Sequence, residues 1–189
     1  MEEKPDKVEV VVDYPKVLTG LKDVRVNFYI TLPEGIKLIT HSVSGDISVD
    51  GVAVMEIESV NGDINISKGF EDTNISVVSG DIKIDNTGKA SENLNVSAVN
   101  GEIELTVSLP ESGGKYSLSA VSGAIKLTIQ GSTENYDINV DTISGSVDSD
   151  LPLEKTGGFV GAEYNARAGA GDNQISISTV SGSVKIITQ

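Results

Sequence analysis

The feature that most constrains this chain is a five-residue motif that returns seven times around one glycine. The copies are Val43-Ser44-Gly45-Asp46-Ile47, Val60-Asn61-Gly62-Asp63-Ile64, Val78-Ser79-Gly80-Asp81-Ile82, Val99-Asn100-Gly101-Glu102-Ile103, Val121-Ser122-Gly123-Ala124-Ile125, Ile143-Ser144-Gly145-Ser146-Val147 and Val180-Ser181-Gly182-Ser183-Val184. Their glycines are 17, 18, 21, 22, 22 and 37 residues apart. Self-similarity at a period near 20 marks a chain built from stacked units. The residues two before and two after the glycine are Val or Ile in every copy. Five before it stand Ile57, Ile75, Val96, Leu118, Val140 and Ile177, with Thr40 the polar exception. Three before it the side chains are mostly small, as at Ser42, Ser59, Ala98 and Ala120. Leu32-Pro33-Glu34-Gly35 and Leu109-Pro110-Glu111-Ser112-Gly113 lead into the first and fifth copies, and Leu151-Pro152 echoes them. Proline there suits a strand end or corner.

Apolar residues alternate with period two, and no helical period runs over three turns, so the chain reads as all-β. Val, Ile and Leu dominate the apolar content, with three Phe, five Tyr and no Trp. Two architectures use such a turn. Asn-Gly and Ser-Gly between strands are hairpin signals. A hairpin at Asn61-Gly62, however, leaves Val60 on its polar face. In a coil that turns a corner, Val60, Ile64 and Ile66 point inward together, with a bend near Ser59-Val60. The Ser/Asn position then forms a column of like residues hydrogen-bonded along the stack. The expectation is a right-handed parallel β-helix, or β-solenoid, of about seven to eight coils of 17–22 residues. At the usual strand spacing, seven coils make a rod about 34 Å long. Residues 1–189 are read as one domain. Residues 1–33 supply N-terminal strands or a cap, with strands over Lys7–Val12 and Val24–Leu32. Residues 34–150 form regular coils and 175–189 the last coil. Residues 151–174 form an irregular Gly/Ala-rich insertion or a degenerate coil around Gly161.

The 28 acidic residues exceed the 14 basic ones, for a formal charge of −14. That opposes binding to nucleic acid or to an anionic membrane. Cysteine is absent, which removes thiol catalysis, disulfides and thiolate metal sites. No run of 18 apolar residues exists to cross a membrane. Met1–Lys7 lacks the apolar core of a signal peptide.

The repeated Val-Ser-Gly-Asp-Ile, the Leu-Pro-Glu-Gly lead-in, and the ending from Asn173 through Ile186 resemble the bacterial DUF4097 family. That family is a β-strand repeat domain labelled adhesin-like and similar to auto-transporter adhesin head-like domains. The resemblance spans about residues 24–189. It implies a parallel β-helix and a role at the cell envelope or surface, and it carries over no catalytic residues. It also implies a link to envelope-stress regulation in some members and the lack of an export signal in some. The chain departs from the pattern where Ala124, Ser146 and Ser183 replace the acid after glycine.

Few residues point to chemistry. His41 is the only histidine, in the column that continues as Glu58, Ser76, Ser97, Ser119, Asp141 and Ser178. A lone histidine needs carboxylate partners to hold a metal. Asp46, Asp63, Asp81 and Glu102 follow four consecutive glycines and would stack about 5 Å apart, making a weak candidate column for Ca²⁺. No Gly-x-Ser-x-Gly elbow suggests a hydrolase. Carbohydrate-active β-helices need clustered acids and aromatic platforms, whereas Arg25 and Arg167 are the only arginines and aromatics are sparse. The expected function is therefore a non-enzymatic structural or binding module of the bacterial cell envelope or surface, without catalytic residues, cofactor or resident metal. Its partner would be a protein or a glycan. The alternatives are an intracellular or membrane-anchored regulatory scaffold and, third, a β-helix carbohydrate-active enzyme. An extracellular or cell-surface location is favoured, with a cytoplasmic one open. The chain ends soon after Val184-Lys185-Ile186-Ile187, so end-to-end self-association is expected at the C-terminal coil.

Overall fold

The computed structural model describes residues 27–33, 36–68, 70–86, 93–157 and 161–189. The chain forms two compact units, Met1–Thr31 and Leu32–Gln189. The strand ladders that unite the second unit begin only at Lys37. The strand expected over Lys7–Val12 lies outside the described residues. Of Val24–Leu32, the described part, 27–32, forms no strand.

In the second unit each glycine motif joins a longer strand to a shorter one. In chain order these pairs are β1 (Lys37–Ser44) with β2 (Ile47–Asp50), β3 (Ala53–Asn61) with β4 (Ile64–Ser67), and β5 (Phe70–Ser79) with β6 (Ile82–Asn86). They continue as β7 (Asn93–Asn100) with β8 (Ile103–Ser108), β9 (Lys115–Ser122) with β10 (Ile125–Gln130), and β11 (Tyr136–Ser144) with β12 (Val147–Ser149). Two strands without the motif, β13 (Glu154–Thr156) and β14 (Ala162–Ala168), precede the last pair, β15 (Gln174–Ser181) with β16 (Val184–Thr188). The longer strands form sheet A, ordered β1-β3-β5-β7-β9-β15-β11-β14-β13, and the shorter ones form sheet B, ordered β12-β16-β10-β8-β6-β4-β2. Strands carrying the motif pair in parallel with their neighbours' equivalents. The motif is thus a corner between two sheets, as a coil requires, and not a hairpin.

Burial follows the two-residue period of a strand. In sheet A the core column runs Ile57, Ile75, Val96, Leu118, Ile177, Val140, each no more than 2% exposed. In sheet B, Ile64, Ile82, Ile103, Ile125 and Val184 stack in register and face them. The small residues three before glycine are buried too, Ser59, Ala98, Ala120 and Thr179 among them. They are small because they pack inside the corner.

The inward placement of Val60 is corrected. Val43, Val60, Val78, Val99, Val121, Val180 and Ile143 are all exposed, from 41% to 74%. No bend occurs near Ser59-Val60; β3 runs unbroken to Asn61, so alternation carries Val60 outward. The parity change falls at the glycine. Gly62 has φ +136°, a conformation open to glycine. Its α-carbon also faces the preceding corner so closely that a Cβ would lie 2.3 Å from the Gly45 carbonyl oxygen. Adjacent corners are tied by main chain, as in Gly45 N–H donating to Asn61 O at 3.0 Å and Gly62 N–H to Ser79 O at 3.0 Å. The Ser/Asn column therefore links the stack through its carbonyls.

The last coil in sequence is not the last in space. β15 lies between β9 and β11, and β16 between β10 and β12. The glycine column repeats this order: a Cβ on Gly182 would meet Gly123 O, and one on Gly145 would meet Gly182 O. Self-association at an open edge of the C-terminal coil therefore loses its basis, because both edges of β15 and β16 are paired. In the stretch 151–174, expected as an irregular insertion or a degenerate coil around Gly161, the described residues include two strands. These, β13 and β14, pair antiparallel, and β14 covers the free edge of β11 antiparallel. Two asparagines seat the returning chain. Asn135 Oδ1 accepts from Gly171 N–H at 2.8 Å and Asp172 N–H at 3.0 Å. Asn173, 1% exposed, donates from Nδ2 to Pro110 O at 3.0 Å and Asn135 O at 2.8 Å.

Candidate functional site

Sheet A turns toward solvent the side chains that alternate with its core columns. Two of these polar columns border a shallow groove of about 550 Å³ running across β5, β7, β9, β15 and β11. One wall carries Asn74, Asn95, Ser117, Ser176 and Asn139; the other carries Asp72, Asn93, Lys115, Gln174 and Asp137. Parallel, in-register pairing explains the regularity. Equal positions of successive repeats become neighbours about 4.8 Å apart. The polar groups are partly bonded along the stack: Asn95 Nδ2 to Asn74 Oδ1 at 3.3 Å, Asn93 Nδ2 to Asp72 Oδ1 at 2.6 Å, and Asn139 Nδ2 to Asn165 Oδ1 at 2.9 Å. Arg167 pairs with Asp137 at 3.4 Å. Tyr116 lies beneath the groove, 2% exposed. Burial pushes its phenol up to about 12. Carboxamides, hydroxyls and a few charges in rows can exchange hydrogen bonds with a polar ligand lying along the stack.

The acidic column occupies the corners, away from this groove. Asp63 N–H donates to Asp46 Oδ1 at 3.0 Å, Asp81 N–H to Asp63 Oδ1 at 2.9 Å, and Glu102 N–H to Asp81 Oδ1 at 2.8 Å. The carbonyl of the same residue serves the ladder, as where Ile47 N–H donates to Asp63 O. A short acceptor side chain thus satisfies the amide that the corner turns out of the ladder. Asp46, Asp63 and Asp81 each commit one carboxylate oxygen to this bond.

His41 stands beside Glu58 in the β1–β3 ladder, with Nδ1 3.0 Å from Glu58 Oε2. Glu56 joins them: ligand atoms of His41, Glu56 and Glu58 lie within 4.8 Å of one another. The histidine-with-carboxylates grouping could have been found in the sequence, since His41 and Glu58 occupy the same repeat position. Glu56 was missed because its column is otherwise filled by Ile39 and by Asn and Ser. On sheet B, Glu104 lies 2.9 Å from Lys126 and 3.5 Å from Lys83. The hydrogen bond from Lys126, with the charges of both lysines, holds its carboxyl below the usual range against a smaller opposing effect of burial.

No helix among the described residues is long and apolar enough to cross a membrane. No curated protein matches the chain. The crystal structure of a "putative cell adhesion protein" from Clostridium sporogenes ATCC 15579 is similar to it with 11% sequence identity and a TM-score of 0.47, over 79% of this chain and 92% of that one. The family model described as Toastrack DUF4097 matches residues 23–114 and again 105–187. Two overlapping matches that together run through nearly all the repeats place the chain in a family: it belongs to the Toastrack DUF4097 proteins.

Proposed function

We propose that this chain is a non-catalytic binding module of the bacterial cell envelope or surface, adhesin-like in role, built as a right-handed solenoid of about seven coils. Its binding face is the groove of sheet A, and its partner is a hydroxyl-rich polymer such as a glycan, lying along the stack. The observation that carries this reading is the groove's two walls of carboxamide, hydroxyl and mixed-charge side chains at one repeat per coil. Such rows offer many weak, equally spaced hydrogen bonds, which suits an extended repeating ligand better than a small compact one. The net charge of −14 favours neutral or cationic partners over polyanions.

The test has two parts. Antibody labelling of intact source cells should place the protein outside the cell; labelling only after permeabilisation would overturn the surface role. On a glycan array the purified chain should retain a subset of neutral polysaccharides. The triple change Asn74→Ala, Asn95→Ala and Asn139→Ala should lower that binding at least tenfold. Equal retention by wild type and triple variant would remove the groove as the binding face.

A further inference from the structure

The one imidazole of the chain sits where the first two strands of sheet A pair. In the β1–β3 ladder His41 is in register with Glu58, and Ile39 with Glu56. Glu56 and Glu58, two apart on one strand, leave the same face. His41 meets them from the adjacent strand, about 4.8 Å away. The His41 Nδ1 to Glu58 Oε2 distance is 3.0 Å, and one ligand atom from each of the three residues lies within 4.8 Å of the others. His41 and Glu58 share a column that continues as Ser76, Ser97 and Ser119. The column of Glu56 continues as Asn74 and Asn95. Strong ligand groups thus replace the hydroxyl and carboxamide side chains of the following coils here, and they converge.

We infer that His41, Glu56 and Glu58 form a binding site for a divalent transition-metal ion of the zinc class. One imidazole and two carboxylates are a three-ligand set of the kind zinc accepts, with the remaining positions left to water. Zinc–nitrogen and zinc–oxygen distances of about 2.0–2.2 Å place tetrahedral donors about 3.3–3.6 Å apart. The His41–Glu58 pair already lies near that spacing, and Glu56 closes on it by turning its side chain. Neutral imidazole with two carboxylates carries a charge that the ion cancels. Calcium fits less well, because it takes six to eight oxygens and no imidazole. The ion would cross-link β1 to β3. Among the described residues β1 is an edge strand of sheet A, so it is held by one neighbour only.

The experiment is a titration of the full chain, freed of metal by chelator, with ZnCl₂ by calorimetry and by thermal melting. One equivalent should bind, raise the melting temperature and shift the ring resonances of the single histidine. His41→Ala, Glu56→Gln and Glu58→Gln should each weaken binding at least tenfold, while Asp63→Asn at the corner column leaves it unchanged. A tenfold excess of Ca²⁺ should not displace the zinc. The ring resonances are read on the unaltered protein, so the test stands even if a variant folds poorly. No saturable binding, histidine resonances indifferent to zinc, or binding that Asp63→Asn rather than His41→Ala removes would overturn the site.

Discussion

β1 to β10 and the later pairs β11–β12 and β15–β16 are made of the same repeat and are assembled by different rules. In the first region, order in space is order in sequence, and each corner stacks on the one before it through Gly45, Gly62, Gly80, Gly101 and Gly123. In the second, the chain lays down β11 and β12, turns back through β13 and β14, and places β15 and β16 in the slot between its own earlier coils. The corners differ accordingly. Asp46, Asp63 and Asp81 bond the next coil's amide, whereas Ala124, Ser183 and Ser146 occupy that position where the order breaks. A repeat fixes what each coil looks like; the connections decide which coil it touches.

The comparison can be broken most severely at the glycines. A Cβ at Gly182 would lie 1.9 Å from Gly123 O, as close as one at Gly123 to Gly101 O, whereas at Gly45, which no described corner precedes, it would meet nothing within 4 Å. Gly182→Ala should cost about 4 kcal/mol or more by urea denaturation, an effect at the extreme of single substitutions. Gly45→Ala, strained only by its positive φ, should cost about 1–3 kcal/mol. Equal costs would mean that the slot is not tight. Next comes Asn173, whose two donated bonds have no counterpart among the described residues of the first region. Asn173→Ala should lose about 1–3 kcal/mol and loosen β15 first, seen as faster amide exchange there than in β7.

Smaller effects sharpen the contrast at the corners. Asp63→Ala should cost about 1 kcal/mol, the worth of one hydrogen bond, and Ser183→Ala less than about 0.5 kcal/mol. Thr179→Val should be neutral or stabilise by up to about 1 kcal/mol, because its buried hydroxyl has no hydrogen-bond partner and Ala98 and Ala120 occupy the same column. The least effect belongs to Glu104. Its folded pKa is lowered, so its contribution is complete above the unfolded glutamate value of about 4.3 and is lost as pH falls through the folded one. Glu104→Gln should flatten the acid side of the stability profile slightly, as exposed pairs allow.

Much of this fold could be read from the repeat itself. The glycine corners and the inward Ile57, Ile64 and Ile66 follow from period-two alternation around a residue that alone permits the turn. Two things could not be read. Val60 is apolar in a column that faces solvent, and hydropathy says nothing of which side of a corner a side chain takes. The placement of β15 depends on contacts of Asn173 with Pro110 and Asn135, distant in sequence and outside the motif. Of the candidate site, His41 stood out as a lone histidine, and Glu58 shared its repeat position. Glu56 shares their face by strand alternation, but its closeness to His41 shows only once β1 and β3 are paired. The groove needed the stacking of β9, β15 and β11, which the period does not show.

The slot between β9 and β11 also bears on how the chain is made. A ribosome delivers β1 to β10 in the order in which they stack, so each emerging strand finds a finished template and elongation can be processive. β11 has no such template when it emerges, since its parallel neighbour, β15, is synthesised later. The second half can therefore close only after β15 and β16 have emerged. Maturation should show a fast phase that grows with nascent length and a later step that begins only once β16 has left the ribosome.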